Sequence, residues 1–166
     1  MLKSKKGVII TILVLVSITA ASFTVWQIPD SSKMTIVVTD FESHLDGIDA
    51  RHEIIIDAVD TSLVKMTNGD ITPEELISIT EVSASQINSQ IIELVESDPT
   101  EEWEKSYLNY LESLRSSNSY IREVMALANL QINGSTNDEI ENILEKIDKL
   151  QQKSIEYVKF STNSRP

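Results

Sequence analysis

Residues 41–75 read FESHLDGIDARHEIIIDAVDTSLVKMTNGDITPEE, and this stretch decides the fold. Its apolar side chains recur at steps of four and three residues, which is the spacing of a helix with a heptad repeat. Asn68-Gly69 suits the end of that helix, because glycine adopts the left-handed conformation without steric cost. The segment 72–75, TPEE, suits the start of the next helix as a capping box with proline at the first helical position. The stretch therefore predicts two helices joined by a short loop.

The rest of the chain repeats this organisation. Thr39 is the candidate N-cap of the first helix, and residues 98–101 repeat the capping pattern with Asp98 as the N-cap of the third. Asn133-Gly134 suits the end of that helix, and residues 136–139 suit the start of the fourth as a second capping box. Short loops make neighbouring helices antiparallel, and a sustained 3.5-residue period predicts left-handed packing. We therefore expect an all-α protein whose main part is an antiparallel up-down-up-down four-helix bundle, although an extended pair of long hairpins that dimerises would show the same pattern. The predicted helices span 39–67, 73–97, 99–132 and 136–160.

The heptad positions give a predicted core for every helix. Those of the first helix are Phe41, Leu45, Ile48, His52, Ile55, Val59, Ser62 and Met66. Those of the second are Ile77, Thr80, Ala84, Ile87, Ile91 and Leu94. Those of the third are Tyr107, Leu111, Leu114, Asn118, Ile121, Met125, Ala128 and Ile132. Those of the fourth are Ile140, Ile143, Ile147, Leu150, Ser154 and Tyr157.

The N-terminal segment has a different composition. Residues 1–6 contain three lysines and form a basic tip, and residues 7–28 carry no charge. As a helix, residues 7–28 would be about 33 Å long, enough for a bilayer core of about 30 Å. Basic residues before a span favour the cytoplasm, so we predict a signal anchor with the acidic remainder outside the cell. Residues 29–38 would then be a linker, and residues 161–166 a C-terminal tail.

This segment has two alternative interpretations, and in both of them it is cleaved. Thr19-Ala20-Ala21 places small residues where a signal peptidase cleaves, which would release a secreted domain. Lys6-Gly7-Val8-Ile9 is similar to an archaeal pilin-type processing site, with cleavage after the glycine and filament assembly through the apolar helix.

The overall composition excludes several function classes. The 166-residue chain has no cysteine, so it forms no disulfide and no thiolate metal site. It carries 26 acidic and 14 basic residues, a formal net charge of −12. Nucleic-acid affinity comes mainly from Lys and Arg on phosphates, so we expect no nucleic-acid partner. We also find no nucleophile motif, phosphate loop or dinucleotide turn, and the sequence predicts no enzyme.

Both histidines lie on the first helix. Asp40 with His44, or a neighbouring acid with His52, could present two metal ligands on one helical face. A di-iron bundle needs Glu-x-x-His motifs on two different helices, which this chain lacks. Asp40, His44 and His52 are thus the candidate metal ligands, but we expect no metal or other cofactor, and a metal-dependent enzyme is the least favoured of the functions.

His52 and Asn118 are each the fourth member of their apolar series. The first and third helices of an up-down bundle are parallel, so we expect these two side chains in nearby layers. They would form either a buried hydrogen bond that fixes the register or a polar pocket for a small ligand.

Two surface features complete the candidate sites. Asn133-Gly134-Ser135 is an N-glycosylation sequon in a predicted exposed loop. Acidic residues also form a stripe beside the core positions of the first helix, which suits a basic protein partner or cations. The members of this acidic stripe are Glu42, Asp46, Asp49, Glu53, Asp57 and Asp60.

Several segments together carry a family resemblance. They are ITAASF at 18–23, VTD at 38–40, HLDG at 44–47 and SQINSQIIELVE at 85–96. This combination resembles uncharacterised single-span membrane proteins of ammonia-oxidising archaea. The resemblance implies an archaeal cell-surface location and supplies no activity.

These observations predict a function class. We expect a membrane-anchored, extracytoplasmic helical bundle that acts as a non-enzymatic interaction or scaffold module, with homo-oligomers through its helices as one option. The alternatives are a ligand-sensing bundle with a pocket near His52 and Asn118, or a secreted or pilin-like subunit.

Overall fold

The computed structural model describes residues 37–166, which form four helices and no strand. The helices are α1 (Phe41–Asn68), α2 (Pro73–Glu96), α3 (Glu101–Asn133) and α4 (Asn137–Thr162). Their bundle-like packing confirms the all-α prediction with four helices.

Two helices begin at the predicted capping boxes. At α2, the Glu75 N–H donates to Thr72 Oγ1 at 3.2 Å, and the Thr72 N–H donates to Glu75 Oε2 at 2.8 Å. At α4, Thr136 and Glu139 make the same reciprocal pair. Each box satisfies two backbone donors that the first helical turn leaves free.

The caps of the other two helices differ from the sequence prediction. Asp40, and not Thr39, caps α1, because its Oδ1 accepts the Ser43 N–H at 3.0 Å. Asp98 has a positive φ of 45° and does not cap α3. Thr100 is the N-cap residue of α3, without a side-chain hydrogen bond to the helix.

The predicted core of α1 is confirmed, since every position of its series after Phe41 is buried. In α2, Thr80, Ile87 and Leu94 are buried as predicted, but the other three buried positions each lie one residue before the predicted one. Leu76, Ser83 and Gln90 are buried there, while Ile77 and Ile91 are only partly buried. Heptad counting that favours apolar residues misplaced these three positions, because two of them, Ser83 and Gln90, are polar.

The central helix of the described bundle is α3, which packs against each of the other three helices. It is also the helix with the most buried positions, among them Tyr107, Tyr110 and Tyr120. In contrast, α1 and α4 make no close backbone contact with each other. The bundle is therefore closed around α3 and open between α1 and α4.

None of the helices within residues 37–166 is long and apolar enough to cross a membrane. The predicted basic tip (1–6), the anchor (7–28) and most of the linker lie outside the described residues.

Candidate binding groove

A groove of about 780 Å³ occupies the opening between α1 and α4. Its α1 edge is acidic, and its α4 edge carries one cation, Lys159. Isoleucine and valine side chains form its apolar walls, and Ile54 and Ile155 are 70% and 51% exposed. The four carboxylates of the edge are Asp49, Glu53, Asp57 and Asp60.

Side-chain contacts connect α1 with α4 at one end of the opening and with Arg165, three residues after α4, at the other. Gln151 Nε2 donates to Asp60 Oδ2 at 3.1 Å, and Arg165 Nη1 contacts Asp46 Oδ1 at 2.8 Å. Residues 46 and 60 are about 21 Å apart along a helix that rises 1.5 Å per residue. The opening between the two bridges is therefore about four helical turns long.

A chain of hydrogen bonds through His52 forms the floor of the groove. The Tyr110 hydroxyl donates to Asp49 Oδ1 at 2.7 Å and lies 3.0 Å from His52 Nδ1. The tyrosine has only one proton, so its oxygen accepts from Nδ1–H. His52 Nε2 is then the acceptor for the Ser117 hydroxyl at 2.7 Å. This order of donors fixes one tautomer of the imidazole.

Serine hydroxyls continue the chain into the α3–α4 interface. Ser154 Oγ lies 2.7 Å from Ser117 Oγ and 2.9 Å from Ser113 Oγ. Ser113 Oγ also donates to the Ser154 carbonyl at 3.0 Å. One heptad along, Ser106 Oγ donates to the Ser161 carbonyl at the same distance. The two pairs show that α3 and α4 are antiparallel and in close contact.

Burial keeps His52 neutral. Its desolvation lowers the pKa of the imidazole from 6.5 to about 4, against the opposing effect of the nearby Asp49 carboxylate. Burial also raises the pKa of Tyr110, with a further contribution from its hydrogen bond to Asp49. Both groups therefore hold their protons as the hydrogen-bond chain requires at neutral pH.

Ser117 beside His52 resembles a nucleophile and base in composition, but the surroundings favour a structural role. Ser117 is 1% exposed and lies in the middle of α3, where backbone N–H groups bond within the helix. Acyl transfer requires free donors aimed at the developing oxyanion. We interpret the chain as a buried network that holds α1, α3 and α4 together.

The N-terminal end of α1 carries a separate cluster around His44. His44 Nδ1 lies 2.9 Å from the Tyr107 hydroxyl, and Nε2 lies 3.3 Å from Glu93 Oε1. Arg51 donates to the same Glu93 oxygen at 2.8 Å. Burial raises the pKa of Tyr107 to about 12. This cluster joins α1 to α2 and α3.

The candidate metal ligands are not brought together. Asp40 is occupied by the Ser43 cap, and hydrogen bonds to Ser43 lower the pKa of its carboxyl. His44 and His52 belong to different clusters, as described above. Across residues 37–166, no three His, Asp or Glu side chains are grouped so that they could hold a metal ion.

His52 and Asn118 lie in nearby layers but face different neighbours. His52 bonds to Ser117, the residue before Asn118. Asn118 Nδ2 instead donates to Asn88 Oδ1 on α2. Only His52 lines the groove, so the two side chains do not share one pocket.

Most of the acidic stripe contributes to the groove. Glu42 is exposed in the first turn of α1, and Asp46 pairs with Arg165 at the end of the opening. The other four members form the acidic edge defined above. Asn133 lies far along the chain from this site, exposed at the last residue of α3.

Sequence reasoning missed the serine network, although a signal was present. Ser106 and Ser113 are seven residues apart on α3, and Ser154 and Ser161 are seven apart on α4. Small residues at a heptad spacing on two neighbouring helices indicate a close antiparallel contact. The tyrosine hydroxyls gave no such signal, because their acidic partners are on a different helix.

No protein-family model, curated protein or solved structure matches this chain. The resemblance to archaeal single-span membrane proteins stays a prediction. The groove itself is thus the basis for a functional proposal.

Proposed function

We propose that this protein is a membrane-anchored, extracytoplasmic interaction module whose α1–α4 groove binds a basic amphipathic helix of a partner protein. The observation that carries the proposal is the combination of an acidic edge and apolar walls in one open groove. A helix laid into such a groove would bury its apolar stripe and place its Lys or Arg residues beside carboxylates.

The acidic edge offers three carboxylates to such a ligand. Glu53 and Asp57 are exposed and have no hydrogen-bond partner among the described residues. Asp49 uses Oδ1 for Tyr110, which leaves Oδ2 for a ligand. Asp60 is committed through both oxygens, to Tyr120 and Gln151. Residues 49, 53 and 57 are spaced by one helical turn each, so cations at the same spacing on a partner helix would face them.

Charge also argues against a second copy of the chain as the occupant. The formal net charge is −12, so two copies repel each other over the distance of a Debye length. A basic segment is instead attracted to the groove, and its association would be faster at low ionic strength.

The proposal also includes a membrane anchor formed by residues 7–28. The lysines of residues 1–6 and the uncharged segment 7–28 support a single-pass protein with its acidic part outside. The intact mass of protein extracted from native membranes tests this directly. The full-chain mass supports the anchor, loss of residues 1–21 would mean a secreted protein, and loss of residues 1–7 would mean a pilin-like subunit.

Peptide binding tests the groove. The probe is a helix-stapled peptide of about 14 residues, matched to the length of the opening, with an apolar stripe flanked by lysines. Its control carries glutamates in place of the lysines. We expect the basic peptide to bind the full-length chain in non-ionic detergent, with an affinity that falls as salt is added, and the acidic peptide not to bind.

A matched pair of variants locates the binding. Glu53→Gln with Asp57→Asn removes two charges at the groove, and Glu74→Gln with Glu81→Gln removes two exposed charges on α2. The first pair should weaken binding and the second should leave it nearly unchanged. Equal weakening by both pairs would mean general attraction to an acidic protein and would contradict the proposal.

A small-molecule ligand is the second candidate, favoured by the volume of the groove and by His52 in its floor. Pockets for small ligands commonly have volumes of about 300–1,000 Å³. A compound that raises the melting temperature of the chain and is displaced by the basic peptide would support this candidate. His52→Gln should abolish that stabilisation.

A further inference from the structure

The chain contains two Asn-Gly pairs, and both lie at the C-terminus of a helix. Asn68 and Asn133 are the last residues of α1 and α3. The glycines after them have positive φ values, 80° at Gly69 and 73° at Gly134. The two sites share residue types and position, so any difference in their chemistry must come from the surrounding hydrogen bonds.

Backbone hydrogen bonds fix the conformation of the first pair, Asn68-Gly69. The Gly69 N–H donates to the Met66 carbonyl at 3.0 Å, and the Asp70 N–H donates to the Lys65 carbonyl at 2.9 Å. These bonds close the left-handed end of α1 and fix the ψ of Gly69 at 13°.

The second pair lacks this closure. Among the described residues, no carbonyl accepts the Gly134 N–H, and Gly134 has a ψ of 87°. The Ser135 hydroxyl donates to the Leu130 carbonyl instead, at 2.7 Å. Asn133 is exposed, and one bond holds its side chain, from Nδ2 to the Asn129 carbonyl at 2.9 Å. Gly134 is itself exposed, so its N–H lies on the surface without a hydrogen bond to the described residues.

We propose that Asn133 is a site of spontaneous deamidation, while Asn68 is protected. Hydroxide removes the Gly134 N–H proton and becomes water, and the nitrogen attacks Asn133 Cγ. A new N–Cγ bond forms, the Cγ–Nδ2 bond breaks, and Nδ2 leaves as ammonia after taking up a proton. Water then opens the resulting succinimide at either carbonyl, which gives aspartate or isoaspartate without any oxidant or reductant.

The product changes the end of α3. A carboxylate replaces an amide at a helix C-terminus, where negative charge opposes the helix dipole. The Nδ2 donor to Asn129 is lost, and isoaspartate adds a backbone methylene in the loop between α3 and α4. The modification therefore loosens the connection between the two helices that pack most closely.

Deamidation and N-glycosylation also exclude each other here. A glycan is attached through Asn133 Nδ2, the atom that deamidation removes, and aspartate is not an acceptor in the sequon. Unglycosylated chains would lose the acceptor with time, whereas glycosylated chains would keep asparagine.

Peptide mapping of the full-length chain from a host without N-glycosylation tests the proposal. The folded chain and the urea-unfolded chain are incubated in parallel at mildly alkaline pH, and both Asn-Gly peptides are followed by mass spectrometry. We expect Asn133 to react several-fold faster than Asn68 in the folded chain, and both to react at similar rates in urea. The Asn133→Gln variant should show no modified product at this peptide.

Two results would overturn the proposal. One is equal or faster reaction of Asn68 in the folded chain. The other is no reaction of Asn133 in the folded chain over a period in which both sites react in urea.

Discussion

α4 faces two neighbours in very different ways. Toward α3 it presents serines, and the two helices approach closely enough for serine hydroxyls to reach the carbonyls of the other helix. Toward α1 it presents exposed apolar side chains such as Ile155, and the backbones do not touch. The comparison shows that small residues at heptad spacing close one side of the bundle. The acidic residues of α1 line the side that is open.

The pH dependence of stability should give the largest effect, through His52 in the floor that both regions share. The pKa of its imidazole is about 4 in the folded chain against an ordinary value of 6.5, so the unfolded chain binds more protons between these values. The contribution of neutral His52 to the free energy of unfolding is complete above pH 6.5. It is lost as the pH falls to 4, which lowers that free energy by about 3 kcal/mol. Urea unfolding at several pH values in this range measures the change in the free energy of unfolding. The His52→Gln variant should lose this part of the slope of unfolding free energy against pH. An unchanged slope in the variant would contradict a buried neutral imidazole.

Two adjacent positions on α4 allow its α3-facing and α1-facing sides to be compared by substitution. Ser154→Leu places a larger side chain between α3 and α4, where overpacking should lower the free energy of unfolding by about 2 kcal/mol. Ile155→Ser changes the exposed wall of the groove and should cost less than about 0.5 kcal/mol. Denaturant midpoints of both variants check this. A larger loss for Ile155→Ser would show that α1 and α4 are in close contact in solution.

Removal of the Tyr110 hydroxyl tests whether the hydrogen-bond chain below the groove stabilises the bundle. Tyr110→Phe leaves the His52 Nδ1–H without its acceptor and Asp49 without a donor, so the unfolding free energy should fall by about 1–2 kcal/mol. Tyr157→Phe is the control, because the Tyr157 hydroxyl makes no hydrogen bond to the described residues. Equal effects of the two variants would argue against the hydrogen-bond chain.

The smallest change in the free energy of unfolding is expected at the acidic edge, and we expect it to be an increase. Asp49, Glu53 and Asp57 are like charges one turn apart, and each such pair costs a helix about 0.2–0.5 kcal/mol. Glu53→Gln with Asp57→Asn should therefore raise the unfolding free energy by about 0.5 kcal/mol while peptide binding is weakened. Loss of both stability and binding would mean that these carboxylates support the fold instead.

Much of the fold could be predicted from the sequence because its signals are local. The heptad series from Leu45 to Met66 and the capping boxes at Thr72 and Thr136 depend only on spacing along the chain, and the structure has them as predicted. The N-cap at Asp40 was missed because Thr39 has equally suitable chemistry one residue earlier.

The groove could not be predicted, since heptads on all four helices imply a closed bundle. Along the opening, Tyr110 and Tyr120 of α3 donate hydrogen bonds to Asp49 and Asp60 of α1. Those are contacts between helices far apart in the chain. The pairing of His52 with Ser117, instead of Asn118, likewise depends on the rotation of α3, and a heptad pattern does not distinguish a rotation of one residue.

The most direct test of a binding site between α1 and α4 is methyl NMR of the full-length chain, with labelled isoleucines, titrated with the basic amphipathic peptide. Ile54 and Ile155 are on opposite walls of the groove, and Ile92 is a comparably exposed isoleucine on α2. We expect the methyl signals of Ile54 and Ile155 to shift together, with the same affinity, while that of Ile92 stays in place. Shifts at Ile92 as large as those at the groove would contradict a binding site between α1 and α4.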